Sequence, residues 1–230
     1  MKSIPEIEPL AACSMCGGTG FGRGPNQRLA ASGVPPRCLE CTSLERHRII
    51  RSVYDGLPDD LLENRRVLQF SDDIATPRQR FGSVEISVHG GENHLDMMDI
   101  ARPRGAYDWV IANHVIEHVR DDLRGMAELL RVVADDGVVQ LTFPTPSTAL
   151  ETWELEAPDP DSYDHYRGYG SDFPLRMAPV LAGVLGVVTV GRDTATGCWD
   201  AVYFFSASRA ALFGVGKALL KAGLPTLRCA

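Results

Sequence analysis

An apolar run, Tyr107-Asp108-Trp109-Val110-Ile111-Ala112, ends on Asn113 and then delivers His114, Glu117 and His118. A stretch of helical periodicity over 121–134 follows directly. Asp135-Asp136-Gly137 and a second apolar run, Val138-Val139-Gln140-Leu141-Thr142-Phe143, come next. Strand, polar cluster, helix, glycine turn and strand make a βαβ unit, which commits a chain to a parallel sheet flanked by helices. Ligands of such sheets lie beyond the carboxyl ends of the strands, where Asn113, His114 and His118 fall.

The rest of the chain repeats this alternation. Strands are expected at 66–71, 83–88, 94–97, 187–190 and 199–206, and helices at 74–80, 172–185 and 210–224. Another helix should begin at Thr42 or Ser43, where Thr42 and Glu45 fit a capping box, and end near Gly56. Its outer face carries Arg46, His47, Arg48 and Arg51, which reads as a solvated basic face, with ligand contact as the sharper alternative. The acidic, aromatic, proline-rich stretch 150–170 reads as a lid. The apolar face of 210–224 is suited to pack on its own sheet or on a partner subunit. With 230 residues, 44% of them hydrophobic, the chain can build one α/β domain and a small appendage. The fold class is α/β: a Rossmann-like, mostly parallel sheet with helices on both faces.

Charge narrows the partners. A net charge of −7 argues against broad contact with a phosphate backbone, so no nucleic-acid partner is expected. The sequence lacks the roughly 18 uninterrupted apolar residues of a spanning helix, and residues 1–9 lack the apolar core of an export signal. No membrane association and a cytoplasmic location are therefore expected, with a small molecule as the partner.

Four of the six cysteines are grouped as two CxxC pairs, Cys13/Cys16 and Cys38/Cys41, separated by 21 residues. In a chain without an export signal, such pairs point to metal rather than disulfides. Four thiolates close a tetrahedral zinc site with no position open to substrate, so the expected role is structural. The intervening loop is rich in Gly, Pro, Arg and Ser and has little to form a core of its own. A redox-active pair is the competing reading.

Three segments then combine: Arg37-Cys38-Leu39-Glu40-Cys41-Thr42-Ser43-Leu44-Glu45-Arg46-His47-Arg48, Ala112-Asn113-His114-Val115-Ile116-Glu117-His118-Val119, and Tyr163-Asp164-His165-Tyr166-Arg167-Gly168-Tyr169-Gly170-Ser171-Asp172-Phe173. Through them the chain, over roughly 13–206, resembles the class I S-adenosylmethionine-dependent methyltransferases, in particular the bacterial group with an N-terminal four-cysteine zinc ribbon. The resemblance implies a seven-stranded sheet whose last strand is antiparallel, with S-adenosylmethionine as cofactor beside the structural zinc. It implies a division into 1–57 (zinc ribbon and connecting helix), 58–208 (cofactor-binding domain, lid at about 147–171) and 209–230 (tail helix). It places Phe70, Ser71, Asp72 and Asp73 in the first cofactor loop, and Glu85 on the ribose hydroxyls. Asp96 and Met97 fall at adenine, and Asn113 and His114 at the methionine end. One departure stands out: no glycine occurs between Val67 and Arg80, where the resemblance calls for a glycine-rich turn.

Methyl transfer to a hydroxyl or amine needs alignment, exclusion of water and a base. His114, His118 and His165 are the candidate bases, with Asp164 beside the last, and Arg167 and Tyr169 as candidates to orient a substrate. His114…Glu117-His118 also matches HxxEH, the inverted zinc-hydrolase pattern, but that chemistry needs both histidines on one helix, whereas His114 closes a strand. The leading expectation is methyl transfer to an oxygen or nitrogen of a small molecule. The alternatives are a non-catalytic binding module with a degenerate cofactor loop, or a repurposed enzyme performing elimination, rearrangement or hydrolysis.

Overall fold

The computed structural model describes residues 7–144, 149–160 and 163–230. Residues 1–6, on which part of the export-signal expectation rests, and 147, 148, 161 and 162 of the expected lid lie outside them.

Near the N-terminus, β1 (Phe21–Gly22) pairs antiparallel with β2 (Arg37–Cys38), placing Phe21 opposite Cys38. Helix α1 (Glu45–Asp55) follows. The main sheet contains β3 (Arg66–Phe70), β4 (Ser83–Ser87), β5 (Tyr107–Asn113) and β6 (Val133–Thr142), with α2 (Asp122–Val132) crossing from β5 to β6. A hairpin of β7 (Trp153–Asp159) and β8 (His165–Gly168) stands apart from this sheet and is followed by the short helix α3 (Phe173–Met177). The main sheet is completed by β9 (Leu185–Arg192), β10 (Trp199–Ser206) and, after helix α4 (Arg209–Lys221), β11 (Thr226–Arg228).

The seven strands are ordered β11-β9-β10-β6-β5-β3-β4. Strands β4, β3, β5 and β6 are mutually parallel, β10 runs antiparallel to both β6 and β9, and β11 is antiparallel to β9. This is the Rossmann-like α/β sheet, with five strands sharing one direction. Side-chain alternation builds a core on each face. Leu68, Phe70, Val110, Ala112, Val139 and Leu141 meet α2 and α3 on one side. Val67, Trp109, Ile111, Val138, Val202 and Phe204 meet α1 and α4 on the other. Helix α4 thus packs on its own sheet through Leu212, Val215 and Leu219. No helix among the described residues is long and apolar enough to cross a membrane.

Four local expectations are corrected. No strand forms at 94–97: the Leu95 N–H donates to Ser87 Oγ at 2.9 Å and the Met98 N–H to Asp96 Oδ1 at 2.8 Å, so side chains take the donors a ladder would use. The seventh strand is β11, from the tail. The helix expected at 74–80 shrinks to a 3-10 turn, Arg78–Arg80, after Pro77. The helix expected over 172–185 stops at Met177, continues only as a turn containing Pro179, and gives way to β9 beginning at Leu185. Finally, α1 starts at Glu45 rather than Thr42. Thr42 is left-handed (φ 61°), and the N–H of Leu44 is taken by Nδ1 of His47 at 3.1 Å.

Candidate functional site

Two adjacent parallel strands, β3 and β5, each end on a left-handed non-glycine residue: Ser71 (φ 68°) and His114 (φ 52°). Such residues pay a conformational cost that surrounding contacts must hold in place. At Ser71 the holding group is Gln69, fully buried, whose Nε2 donates to the carbonyls of Ser71 (2.8 Å) and Asp73 (3.2 Å). The Ser71 N–H donates to Ser87 O of β4 at 2.8 Å. The turn therefore has the positive φ that a glycine would supply, reached with a serine and a glutamine clamp. At β5, His114 N–H donates to Thr142 O at 2.8 Å. Asn113 is buried. Its Oδ1 accepts from Gln140 Nε2 (3.2 Å) and Thr142 Oγ1 (3.3 Å), while Nδ2 has no partner. His114 Nε2 is likewise buried and unpartnered.

Ser71, Asp72, Asp73, Asn113 and His114 line one cavity of about 280 Å³, together with Thr42, Arg46, His47 and Ile74. Arg46 and His47 belong to the face of α1 that read as solvated. That reading is corrected throughout: Arg48 is buried and Arg51 donates to the carbonyls of Ala75 (2.9 Å) and Ile74 (3.0 Å).

Of the expected cofactor residues, the two acids in this cavity are engaged within the loop, and Phe70, Glu85, Asp96 and Met97 do not line it. Asp72 pairs with Arg78, and Asp73 Oδ1 accepts from Ala75 N–H at 2.6 Å, so both acids already hold the loop. Phe70 and Met97 are buried in the core rather than lining this cavity. Glu85 accepts from Tyr107 OH at 2.6 Å and pairs with Arg102, which holds its carboxyl below the usual range; this is the amino-terminal side of β5. Asp96 lines a separate cavity of about 720 Å³ beside the start of α2, with Asp121, Arg124, Glu154 and Arg176.

His47 gives the site a pH signature. Burial pushes its imidazole down to about 4 from an ordinary 6.5, with Asp73 (Oδ1 4.0 Å from Nε2) offsetting only part of this. The fold holds the neutral ring, whose Nδ1 lone pair caps α1. Its contribution is complete above pH 6.5 and is lost as pH falls toward 4. Unfolding measured at about pH 7 and about pH 4.5 should show the protein losing roughly 2–3 kcal/mol more than His47→Gln, which keeps an acceptor at that helical position. Equal losses would contradict this assignment.

The lid hairpin is fastened to the turn after β5 by Arg167, which is 1% exposed. Its guanidinium donates to the carbonyls of Val119 and Arg120 (2.8 Å for the latter) and to Glu154 Oε1 (2.7 Å). Tyr169 is fully buried and donates to Asp122 Oδ2 at 2.9 Å. Neither side chain is exposed to a substrate, and both act as anchors. Asp164, exposed and left-handed (φ 60°), presents its backbone carbonyl 3.3 Å from His118 Nδ1. The result is that Glu117, His118 and His165 come together, their ligand atoms all within 4.8 Å of one another. His114 Nδ1 lies 3.6 Å from Glu117 Oε1.

Just ahead of α1, the sulfurs of Cys13, Cys16, Cys38 and Cys41 also lie within 4.8 Å of one another, with Cys13–Cys41 and Cys16–Cys38 both at 3.6 Å. Tetrahedral bonds of about 2.3 Å place sulfurs about 3.8 Å apart, so this geometry can hold one ion. The Gly18 N–H donates to Cys16 Sγ at 3.4 Å.

The profile of a methyltransferase domain matches residues 30–173, beginning between the two CxxC pairs and running through the βαβ unit to the lid. The chain belongs to this methyltransferase-domain family. A search of curated proteins returns no match. Among solved structures, it is similar to an S-adenosylmethionine-dependent methyltransferase from Aquifex aeolicus (15% identity, 68% of this chain and 88% of that one, TM-score 0.41). It is also similar to the 4+2 cyclase SpnF (13%, 87% and 72%, TM-score 0.46). A third is 1,6-didemethyltoxoflavin-N1-methyltransferase of Burkholderia thailandensis, solved with bound 1,6-didemethyltoxoflavin and S-adenosylhomocysteine (13%, 67% and 77%, TM-score 0.43).

Proposed function

We propose that the protein transfers a methyl group from S-adenosylmethionine to an oxygen or nitrogen of a small molecule, and that its four-cysteine cluster holds structural zinc. The observation that carries this, in a chain of the methyltransferase-domain family, is the convergence of Ser71, Asn113 and His114 on one cavity at the carboxyl edge of the sheet. The residues there fit the methionine end of the cofactor. Arg46 suits its carboxylate, Asn113 Nδ2 is a buried donor without a partner, and the left-handed turn at Ser71 exposes backbone for close approach. The bound cofactor supplies a sulfonium methyl that is already a strong electrophile.

His114 is the base in this reading. Its Nε2 is unpartnered beside the cavity, within reach of an acceptor's proton, and its Nδ1 lies 3.6 Å from Glu117 Oε1. His118 and His165 do not line that cavity. His114→Ala should lower methyl-transfer kcat by about 10²- to 10⁴-fold, measured with methyl-labelled cofactor, while the variant still binds the cofactor. Unchanged turnover would remove His114 from the mechanism.

A second reading, a protein that binds the cofactor without turnover, is favoured by the pairing of Asp72 with Arg78 and Glu85 with Arg102, which already engages both carboxylates within the protein. Cofactor binding without methylation of any acceptor in a cell extract would select it.

A further inference from the structure

Glu117 is a buried charge that the methyl-transfer reading does not balance. It is 1% exposed, and neither carboxylate oxygen has a hydrogen-bond partner. An ionised carboxylate in that setting is strongly unfavourable unless a cation stands beside it. Its near neighbours include His114, 3.6 Å away, and the rings of His118 and His165, which meet edge to face with centroids 4.6 Å apart. A carboxylate oxygen and one nitrogen of each of the last two rings fall within 4.8 Å of one another.

We propose that Glu117, His118 and His165 bind a divalent first-row transition-metal ion, separate from the four-cysteine cluster, with positions left open for an oxygen or nitrogen of the substrate. Two imidazoles and one carboxylate suit iron, cobalt, manganese or zinc in the divalent state, whereas calcium and magnesium prefer all-oxygen sets. Bonds of about 2.1 Å need donor atoms roughly 3–3.4 Å apart, a small closure that the exposed His118 ring can make. Its tautomer suits ligation through Nε2. Asp164 O, 3.3 Å from His118 Nδ1, can only accept, so Nδ1 carries the hydrogen and Nε2 the lone pair. A ligating histidine tied through its second nitrogen to a carbonyl is the usual support of a metal site. Arg167 fixes the spacing by donating to carbonyls of the turn that bears Glu117 and His118, while sitting two residues from His165 on β8. The HxxEH pattern thus supplies two ligands, and the lid supplies a third that the pattern does not contain. The site rests on this geometry and not on the proposed methyl transfer.

The test is titration of cobalt(II) into the full-length, zinc-loaded protein without cofactor or substrate, followed by visible absorption and metal analysis. One further equivalent should bind with a nitrogen–oxygen spectrum lacking thiolate charge-transfer bands. Affinity should fall about 100-fold or more in Glu117→Gln, His118→Ala and His165→Ala, with zinc content and melting temperature retained. His118 is exposed, so its variant keeps the test decisive if Glu117→Gln perturbs folding. Failure to take up a second equivalent at millimolar cobalt, or equal affinity in all the variants, would overturn the proposal.

Discussion

Replacing Cys38 with serine should release the zinc and unfold the N-terminal segment while the main sheet stays folded. Among the described residues before α1, the buried apolar side chains are few and mostly small (Cys13, Ala30, Val34, Pro35, Pro36, Cys38 and Leu44), and β1 and β2 contribute two residues each. That is too little apolar burial to offset the entropy of ordering almost forty residues. The proposed zinc would supply the difference, since structural zinc contributes on the order of 10 kcal/mol or more in small domains. Chelation of the parent protein should have the same effect as the substitution. Zinc analysis with limited proteolysis reads both. Stoichiometric zinc retained in Cys38→Ser, or resistance of residues 7–44 to protease after chelation, would contradict the assignment.

Arg48→Ala should destabilise the whole protein by about 3–5 kcal/mol, because it strips the partner from a buried carboxylate. Arg48 and Asp193 are both fully buried and meet through two parallel contacts of 2.8 Å. The remaining donors of Arg48 reach the carbonyls of Ser43 and Pro36, each at 2.9 Å. Asp193 also accepts from Thr196 Oγ1 at 2.6 Å. Burial alone would raise the Asp193 carboxyl, but the hydrogen bonds from Arg48 and Thr196 outweigh it and hold it below the usual range. One side chain of α1 thus ties the cysteine segment to the loop between β9 and β10. For a chain of this length the loss corresponds to a melting temperature lower by roughly 10–15 °C. Asp193→Ala should be similar, and the double variant less damaged than the two single losses combined. A drop of only about 1 kcal/mol would show that water reaches the pair.

The parts of the structure legible in the sequence are those written in local spacing. The CxxC pairs bring four sulfurs together because two intervening residues turn a hairpin onto one point. The βαβ unit follows from a switch in apolar period, and it places Asn113 and His114 at a strand end. What was not legible depends on contacts distant in sequence. Arg167 reads as a group to orient a substrate, yet its guanidinium is buried against carbonyls almost fifty residues earlier. The ladder at 94–97 is lost to two side-chain acceptors, Ser87 and Asp96, in a segment whose apolar pattern alone suits a strand. Strand β11 is three residues long, two of them exposed, and carries no pattern. The glycine-free turn carries no local signal of its shape, because the clamp from Gln69 that lets Ser71 stand at φ 68° is formed only in the folded chain.

Everything functional rests on that turn and the cavity beside it forming a place for S-adenosylmethionine. Calorimetric titration of the intact protein with the cofactor addresses it directly. Saturable binding of one molecule per chain, in roughly the micromolar range and competed by S-adenosylhomocysteine, is the expected result. No detectable heat at millimolar cofactor, with the protein folded and zinc-loaded, would contradict it.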